Sequence, residues 1–591
     1  MSQTRTFLII AWLMVASLLW MEWNKEQSHE RMRDDTATAL AQSAAAAEAA
    51  STAGLPVPGV PQTGAPTTQG ASPDAAAAES TVPQAVIPAA AGSAANTEAA
   101  PAMSAAPAAT TVVLSNDVLW LIFDGGNVRQ ADLLKFPQER KAGSPPVRLL
   151  QDSGKDYYIA QSGWVSAKGA PTHNGGFVPA QAQRQFAMAQ GQDSVSASFV
   201  WTGADGVAIR RTYSLKRGDY TLTVRDDIAN RSAAPWKGYV YRQLSRIPPV
   251  IATSIMQPTS FAFNGAAWYS PEEKYEKRKY EKYQDDGALN ITVGKGWVAL
   301  LQHYFFTAWV PQDDQQANFS LVSAGNQYGI VATGPEFTLA PGQTGSTTAR
   351  LWIGPKIQES LEKVAPGLRL TLDYGIFTVL AQPIHWTLAM LHKFTSNWGW
   401  AIVLLVVLIK LLLYPLSAAQ YKSMAKMRKF QPRMQQLKER YGDDKEKYQL
   451  AMVELYKKEK INPAGGCLPI FIQMPVFLSL YWVLVEAVEL RQAPWMLWVQ
   501  DLTASDPFFI LPILNIAIMW LTQRMTPMIG MEPMQQKIMM AMPLIIGVTL
   551  MFFPAGLVLY WVTNGALGML QQWWMMKKYG DKPDGKAVVA K

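Results

Sequence analysis

The sequence has few of the residues on which metal and nucleotide chemistry depends. Among its 591 residues are one cysteine, Cys467, and five histidines. A single cysteine excludes an intrachain disulfide and a cysteine-cluster metal site. Neither an HExxH nor a GxxxxGK[ST] pattern occurs, which argues against a metallohydrolase and against nucleotide hydrolysis as an energy source. We therefore expect no metal site and no cofactor.

Charged residues are also scarce, whereas apolar residues are abundant. Charged residues make up 17% of the chain and hydrophobic residues 49%, with 26 Met and 21 Trp. This composition is typical of a membrane protein that carries some soluble mass. The formal net charge of +8 is explained by basic loops on the cytoplasmic side of a membrane or by a nucleic-acid partner.

The amino-terminal region divides into an apolar run and a long stretch of low complexity. Residues 7–21 read FLIIAWLMVASLLWM behind Arg5, and no small-residue cleavage site follows. This pattern predicts an uncleaved transmembrane signal anchor over residues 1–24. Residues 25–110 consist mainly of Ala, Pro, Ser, Gly and Thr, which predicts a disordered periplasmic linker because few apolar side chains offset the entropy of folding.

Residues 111–370 have the pattern of an antiparallel β-sandwich. Short alternating runs, such as VSASFVW ending at Trp201 and YTLTVRD starting at Tyr220, are separated by turn signals at Asp124 and Arg217. Many short strands at this spacing indicate a sandwich. For the charged stretch PEEKYEKRKYEKYQDD after Ser270 we expect a solvated excursion from the sheet, the alternative being a surface that binds a polyelectrolyte.

A helical stripe of apolar residues lies in residues 371–396. The stripe consists of Phe377, Leu380, Ile384, Leu388 and Leu391. Such a stripe faces either a packed core or the surface of a bilayer. Its position directly before an apolar run predicts an interfacial amphipathic helix.

Five further membrane spans are predicted in the carboxyl-terminal third, which with the anchor makes six transmembrane helices. They cover residues 398–416, 464–488, 508–521, 538–553 and 556–575. As domains, residues 397–417 are the second transmembrane helix and residues 463–576 contain the other four. The third and fourth of these runs are short, about 21 to 24 Å at helical rise against a hydrocarbon core of about 30 Å, and so favour a thinned bilayer.

Basic residues in the loops predict the orientation of the chain. Residues 418–462 contain twelve Lys and Arg residues, whereas the loop 490–506 contains only Arg491. Because short cytoplasmic loops are enriched in Lys and Arg, the first segment, the amino terminus and the basic tail 577–591 are predicted to be cytoplasmic and the β-sandwich periplasmic.

Apolar residues at coiled-coil spacing on both sides of Gly442 predict a helical hairpin over 418–462. Its basic face is either solvated or docks to ribosomal RNA or anionic lipid.

A lysine lies within the apolar run AIVLLVVLIKLLLYPL, at Lys410. A charge at the centre of a span costs about 2.5 to 3.5 kcal/mol. Either the side chain snorkels to the cytoplasmic interface about 9 Å away, or the charge is functional. Tyr414, Ser417 and Tyr421 follow at helical spacing, so one face of this helix is predicted to be polar down to the cytosol.

Other predicted spans carry polar residues at mid-depth or on the cytoplasmic side. These are Gln473, Asn515, Thr563 and Asn564. Individually, such residues are usually hydrogen-bonded between helices. Together with Lys410 they predict a water-filled recess open to the cytosol. A recess of this kind lowers the desolvation barrier for a hydrophilic segment while an apolar segment slides into lipid.

Two other classes of function compete with this interpretation. An intramembrane hydrolase would use a serine activated by a neutral lysine, with Lys410 and either Ser417 or Ser479, although Ser417 is about 10 Å from Lys410 along the helix axis. A small-solute transporter would show repeated halves, and the sequence shows no internal repeat.

Several long motifs resemble those of the YidC/Oxa/Alb family of membrane protein insertases. They are GWVALLQHYFFTAWVP from Gly296, NPAGGCLPIFIQMPVF from Asn462, ELRQAPW from Glu489, DPFFILPIL from Asp506, EPMQQKIM from Glu532 and FPAGLVLYW from Phe553. The resemblance covers nearly everything except the linker and is to the Gram-negative form. It implies a bacterial inner-membrane insertase and folding chaperone rather than an enzyme. The implied partners are nascent membrane proteins, the Sec translocon, the phospholipid bilayer and, through the basic hairpin and tail, the ribosome.

The resemblance also implies a periplasmic β-supersandwich similar to sugar-mutarotase folds, and a substrate groove with one positive charge. Lys410 stands where the family usually has an arginine, and Val406 stands one turn earlier, where a polar residue is common. Gln473, Tyr560 and Trp561 match groove or client-facing positions. The groove is therefore predicted to consist of Lys410, Tyr414, Ser417, Gln473, Asn515, Tyr560, Trp561 and Thr563.

Overall fold

The computed structural model describes residues 111–250, 262–312, 315–420, 430–441, 444–458, 468–525 and 533–579. The predicted signal anchor and linker lie outside these residues. So do Tyr421, Cys467 and the tail from residue 580 onwards.

The β-rich region consists of two sheets, as the alternating runs predict. The ten-stranded sheet contains β1 (Val112–Ser115), β2 (Leu119–Asp124), β3 (Asn127–Pro137), β4 (Pro146–Leu150), β5 (Tyr158–Val165), β7 (Gln185–Ala187), β11 (Trp236–Arg246), β14 (Asn290–Gly294), β17 (Gln316–Ala324) and β18 (Gln327–Leu339). The nine-stranded sheet contains β6 (Val178–Pro179), β8 (Ser194–Thr202), β9 (Val207–Lys216), β10 (Thr221–Asn230), β12 (Gly265–Ser270), β13 (Lys274–Lys279), β15 (Trp297–Leu301), β16 (Phe305–Val310) and β19 (Thr344–Pro355).

Pairing within the sheets follows the order β14-β17-β18-β11-β5-β3-β2-β1-β7, with β4 on β3, and β13-β12-β15-β16-β19-β10-β9-β8-β6. Neighbouring strands are antiparallel apart from the β1–β7 pair. The predicted strands ending at Trp201 and starting at Tyr220 are β8 and β10, and the turn signal at Asp124 connects β2 to β3. The turn between β9 and β10 contains Gly218 at a φ of 68°, a left-handed conformation that glycine adopts without steric cost.

The charged stretch after Ser270 differs from the expected solvated excursion. Its residues Lys274–Lys279 form β13, which pairs with β12 at the edge of the nine-stranded sheet. The lysines and glutamates of β13 face solvent, while Tyr275 is half-buried and Tyr280, directly after the strand, is buried. Charged edge strands are common because they discourage pairing with other chains.

Tryptophan is frequent among the fully buried residues of the β-rich region. Trp164, Trp236, Trp297, Trp309 and Trp352 are each at most 1% exposed. Trp309 faces the other sheet, because its indole N–H donates to the carbonyl oxygen of Gln243 in β11, whereas the indole N–H of Trp297 donates to the carbonyl oxygen of Pro366, before α2. Burial of such large side chains supplies much of the hydrophobic stabilisation of the sandwich.

The helices are concentrated in the carboxyl-terminal third. They are α1 (Gln358–Val364), α2 (Thr378–Thr395), α3 (Trp398–Leu412), α4 (Tyr414–Gln420), α5 (Gln431–Tyr441), α6 (Lys445–Lys458), α7 (Leu468–Glu486), α8 (Ile510–Met525), α9 (Pro533–Leu550) and α10 (Ala555–Tyr579). Helix α3 packs against α2 and α10, α2 also against α7, and α8 against α9 and α10.

One predicted span is interrupted. The run 398–416 does not form one straight helix, because α3 ends at Leu412 and α4 continues at an angle of 63°. Pro415 explains the break, since proline lacks a backbone N–H and disfavours helical geometry in the preceding residue. Within the described residues no helix alone is long and apolar enough to cross a membrane, whereas α3 and α4 together meet that length and composition.

Several polar contacts join the sandwich to the helices. Arg491, after α7, donates hydrogen bonds to the carbonyl oxygens of Pro137 at 2.8 Å and Gln138 at 2.9 Å. Nζ of Lys356, at the end of β19, lies 3.4 Å from the carboxylate of Glu486, and both side chains are at most 5% exposed. His303 contacts the carbonyl oxygen of Val485 at 2.9 Å. These contacts hold the carboxyl-terminal end of α7, and the loop that follows it, against the sandwich.

Candidate functional site

Lys410 is half-buried in the last turn of α3 and faces α10. A methyl group added to Gly568 of α10 would lie 3.6 Å from Nζ of Lys410. The absence of a side chain at Gly568 thus leaves room for the ammonium group beside the backbone of α10. No carboxylate in the described part of the chain forms an ion pair with Lys410.

The break after Leu412 changes the polar face predicted below Lys410. Because α4 bends away from α3, the i+4 and i+7 spacing of Tyr414 and Ser417 no longer places them on one continuous face. The ring of Tyr414 lies 6.3 Å from that of Trp574 in α10. Oγ of Ser417 donates to the carbonyl oxygen of Leu413 at 3.2 Å.

A second polar group lies between α7 and α10. Nε2 of Gln473 donates to Oδ1 of Asn564 at 3.0 Å. Beside this pair is a cavity of about 170 Å³, lined by Gln473, Met474, Phe477, Tyr560, Trp561 and Asn564. The ring of Phe477 stacks on Tyr560 at a centroid distance of 5.8 Å and meets Trp561 edge-on at 5.2 Å. The cavity therefore has one polar end, formed by two amides, and an aromatic wall.

Helix α10 connects the two groups. Tyr560, Asn564 and Gly568 are four residues apart and so lie on one face of the helix. Gln473 contacts this face at Asn564, and Lys410 contacts it at Gly568. The two contacts are separated by about 6 Å along the axis. One face of α10 thus contacts both polar groups: Gln473 at Asn564 and Lys410 at Gly568.

Two predicted groove residues lie elsewhere. Asn515 is 1% exposed, and its amide contacts Sδ of Met519 at 3.4 Å within α8. Thr563 is half-buried and is not among the residues that line the cavity. The described structure thus brings Gln473, Tyr560 and Trp561 into one cavity and leaves these two outside it.

Three cavity residues were missing from the predicted groove. Asn564 is recognisable in the sequence as a polar residue in a predicted span, but Phe477 and Met474 resemble ordinary apolar residues of α7. Phe477 follows Gln473 by four residues, so the face of α7 that carries Gln473 also carries Phe477. That spacing was the available signal.

The two serines considered for a hydrolase are bonded to their own helices. Ser417 donates to Leu413, and Oγ of Ser479 donates to the carbonyl oxygen of Pro475 at 2.7 Å. A nucleophilic serine needs a hydrogen bond to its base. Within the residues that the structure describes, neither serine forms one with Lys410.

The described structure thus combines a two-sheet β-rich domain with apolar helices that hold a half-buried lysine near a pair of hydrogen-bonded amides. The family model for the YidC periplasmic domain matches residues 111–387, and that for the 60Kd inner membrane protein matches residues 390–582. Membrane protein insertase YidC of Xanthomonas axonopodis pv. citri (strain 306) is 54% identical over 587 residues, which cover 99% of this chain and 98% of that protein. The chain belongs to the YidC family of membrane protein insertases.

A second relative and a solved structure are also similar to this chain. Membrane protein insertase YidC of Stenotrophomonas maltophilia (strain R551-3) is 52% identical over 591 residues, covering 99% of this chain and 98% of that protein. A crystal structure of an active YidC insertase with its first transmembrane domain resolved aligns with 79% of this chain and 92% of that chain, at 18% identity and a TM-score of 0.36.

Proposed function

We propose that this chain inserts transmembrane segments of nascent proteins into the bacterial inner membrane through a groove formed by α3, α7 and α10. Membership of the YidC family supports the insertion function. One observation supports the groove above all. Lys410 is half-buried, has no carboxylate partner among the described residues, and lies against the same face of α10 that holds the Gln473–Asn564 pair.

In this mechanism the groove replaces bulk water for the polar end of a client. Lys410 attracts an acidic or polar tail, because a charge in a partly desolvated site acts more strongly than in water. The amides of Gln473 and Asn564 exchange their mutual hydrogen bond for bonds to the client backbone. Phe477, Tyr560 and Trp561 offer an apolar wall beside which a client helix enters lipid. No covalent bond is made or broken.

A lysine suits this role although its ammonium group cannot form the two parallel hydrogen bonds of an arginine guanidinium group. Its ammonium group is a compact charge with three donors on a flexible stem, whereas arginine presents a fixed planar fork. Attraction of varied polypeptide tails requires a charge rather than one defined ligand geometry. We therefore expect arginine at position 410 to function.

The proposed architecture has six spans with the amino terminus in the cytoplasm and the sandwich in the periplasm. The basic residues of α5 and α6 support a cytoplasmic hairpin, and the two helices pack against each other. Helix α8, with 16 residues, extends about 24 Å, less than the hydrocarbon core of about 30 Å. A locally thin bilayer would shorten the crossing for a client.

The proposed partners follow from charge and family. The basic hairpin would receive a ribosome or an unfolded client through electrostatic attraction. Larger clients would be inserted beside the Sec translocon, with this chain acting as a folding chaperone for their helices, whereas short-tailed clients would need this chain alone.

Reconstitution into liposomes tests the groove. The full chain and its Lys410→Arg, Lys410→Ala and Lys410→Glu variants are supplied with a short acidic-tailed membrane protein, and insertion is measured by protease protection of the translocated tail. We expect Arg to retain activity and Glu to lose it about tenfold or more, because attraction becomes repulsion in a site of low dielectric.

Lys393→Glu is the matched control, because Lys393 is an exposed lysine in the last turn of α2. Lys393→Glu changes the net charge of the protein by the same amount as Lys410→Glu but leaves the groove residues unchanged. If all four proteins with different residues at position 410 insert the client equally, Lys410 merely snorkels and the groove mechanism is wrong. The client must also remain uncleaved, since cleavage would indicate a hydrolase.

A further inference from the structure

A cavity in the described structure lies outside the groove. It has a volume of about 690 Å³ and is bounded by β13, the residues that lead into α2, and the carboxyl-terminal end of α7. We call it the junction cavity; Lys277 and Lys279 of β13, Tyr374 before α2 and Trp482 of α7 are among its lining residues. It therefore lies where the sandwich meets the helices.

The lining of the junction cavity is predominantly basic. Five basic and three acidic side chains line it. Lys277 is paired with Asp373, and Lys356 with Glu486. Lys279 and Lys282 are exposed and form no ion pair with any carboxylate that the structure describes. The site thus has cations in excess, and an anionic ligand would neutralise them.

Two buried hydroxyl groups belong to the same wall. Oη of Tyr275 and Oη of Tyr374 are enclosed and have no hydrogen-bond partner among the described residues. Tyr374 is only 2% exposed. A buried polar group without a partner is uncommon and indicates an unseen ligand, ion or water. Two such donors in one basic cavity indicate a ligand that is rich in acceptor oxygens.

An exposed apolar surface begins at the rim of the junction cavity. Ile376 lines the cavity and is 91% exposed. The same helical side of α2 continues with Val379, 83% exposed, Trp386, 65% exposed, and Phe394, 85% exposed. This side differs from the predicted stripe, whose residue Leu388 is buried. A helix with an exposed apolar side next to a basic site is typical of a membrane surface.

We infer that the junction cavity binds the phosphate headgroup of an anionic phospholipid, whose acyl chains lie along the exposed apolar side of α2. The cations hold the phosphate, and the tyrosine hydroxyls donate to its oxygens after a small rotation of their side chains. The inference rests on the proposed placement of α2 and α7 at the periplasmic surface of the bilayer. A free phosphate shares the headgroup chemistry but makes no use of the apolar side of α2.

Native mass spectrometry of the full chain in detergent micelles tests the inference. The probes are phosphatidylglycerol, phosphatidylethanolamine and inorganic phosphate, and the readout is the apparent Kd of each. We expect phosphatidylglycerol to bind best. The double variants Lys279→Gln/Lys282→Gln and Tyr275→Phe/Tyr374→Phe should each weaken its binding about tenfold, the effect of losing hydrogen bonds to a charged group.

Two controls separate the cavity from general effects of charge and packing. Lys135→Gln/Lys141→Gln removes two exposed lysines of the sandwich that are outside the cavity. Tyr283→Phe removes another buried hydroxyl that has no hydrogen-bond partner in the part of the chain that the structure describes, and Tyr283 does not line the cavity. Both controls should bind phosphatidylglycerol within about twofold of the wild type, a difference of less than 1 kcal/mol.

Equal binding of phosphatidylglycerol by the wild type and both double variants would overturn the inference. Displacement of the lipid by inorganic phosphate at equal concentration would overturn its lipid part, because the acyl chains would then contribute nothing. Insertion assays with the Lys410 variants report on the groove alone. A failure of the groove mechanism is therefore distinguishable from a failure of the lipid site.

Discussion

Buried charges occur in both the sandwich and the helices, but their surroundings differ. In the sandwich, Asp226 accepts hydrogen bonds from Arg211 at 2.7 and 2.9 Å and from the indole N–H of Trp164 at 3.0 Å, and Arg242 lies 3.3 Å away. Asp226 and Arg211 are 0% exposed. In the helices, Lys410 is half-buried beside Gly568 without a carboxylate partner among the described residues.

The difference indicates that charged side chains removed from water have two roles in this protein. Removing a charge from water costs several kcal/mol, and only close, well-oriented partners offset that cost. The two arginines hold the pKa of Asp226 at about 2, below its usual value, despite the burial of the carboxylate. This paired cluster links the two sheets, because Arg211 and Asp226 belong to the nine-stranded sheet and Arg242 to the ten-stranded sheet. Lys410 has no comparable partners among the residues that the structure describes, and we propose a functional role for it rather than a structural one.

The largest effect on stability is expected for Asp226→Asn. The substitution leaves two buried guanidinium groups with one neutral partner, and we expect the free energy of unfolding to fall by about 3 to 5 kcal/mol. Thermal unfolding of the full chain, followed by near-UV circular dichroism, measures the change.

Asp227→Asn is the control for this substitution. Asp227 is the next residue in β10, and its side chain is 41% exposed and paired with Arg225. Its loss should cost at most about 1 kcal/mol. If both substitutions lowered the free energy of unfolding by the same amount, the buried cluster would contribute no more to stability than an exposed ion pair.

An intermediate effect is expected at the junction between the two regions. Oε2 of Glu489 is enclosed without a hydrogen-bond partner among the described residues, and burial raises the pKa of this carboxyl to about 7. Burial and the nearby Lys356 lower the pKa of His303 to about 3. The folded state therefore holds an extra proton at Glu489 between pH 4.5 and 7 and lacks one at His303 between pH 3 and 6.5.

These two groups give opposite pH dependences. Stability falls as pH rises where the folded state binds more protons and rises where the unfolded state binds more, by about 1.4 kcal/mol per proton and pH unit. Between about pH 4.5 and 6.5 they cancel. We expect Glu489→Gln to expose the His303 contribution, so that stability rises with pH in thermal unfolding. Glu359→Gln, at an exposed carboxylate, should leave the profile unchanged; an unchanged profile in Glu489→Gln would contradict the assignment.

The smallest effect on stability is expected for Lys410→Met. Removing an unpaired cation from an apolar helix deletes a desolvation cost and leaves no partner behind, so the unfolding temperature should stay constant or rise slightly while insertion decreases. Thermal unfolding and the liposome assay on the same preparation measure both quantities. A large loss of stability would show that Lys410 is a structural residue, as Asp226 is.

Much of the sandwich was predictable because its pattern is local. Alternation along β8 and β10 and the turn signals at Asp124 and Arg217 act within a few residues. Apolar runs likewise predicted helices near α7 to α10. Local rules compete at two places: Pro415 bends the run that contains Lys410 into two helices, which together still have the length and composition of a span, and Lys274–Lys279 joins a sheet where a solvated excursion was expected.

The site itself was predictable only in part. Lys410, Gln473, Tyr560 and Trp561 are predicted from polarity in apolar runs and from the resemblance to the family, and the last three of them line one cavity. The partner of Gln473 is Asn564, 91 residues away, and no local pattern specifies which of several polar residues meets it. Asn515 was assigned to the groove on the same polarity argument, but its contact lies within α8.

The sequence by itself determined the types of segment, the family and the presence of a charge among apolar residues, because periodicity, composition and motif order are properties of neighbouring residues. The tertiary structure decided which charges are satisfied. Asp226 meets Arg211 and Arg242, whereas Lys410 meets the bare backbone at Gly568. Whether a buried charge is paired depends on how distant segments pack, and local sequence patterns do not encode that packing.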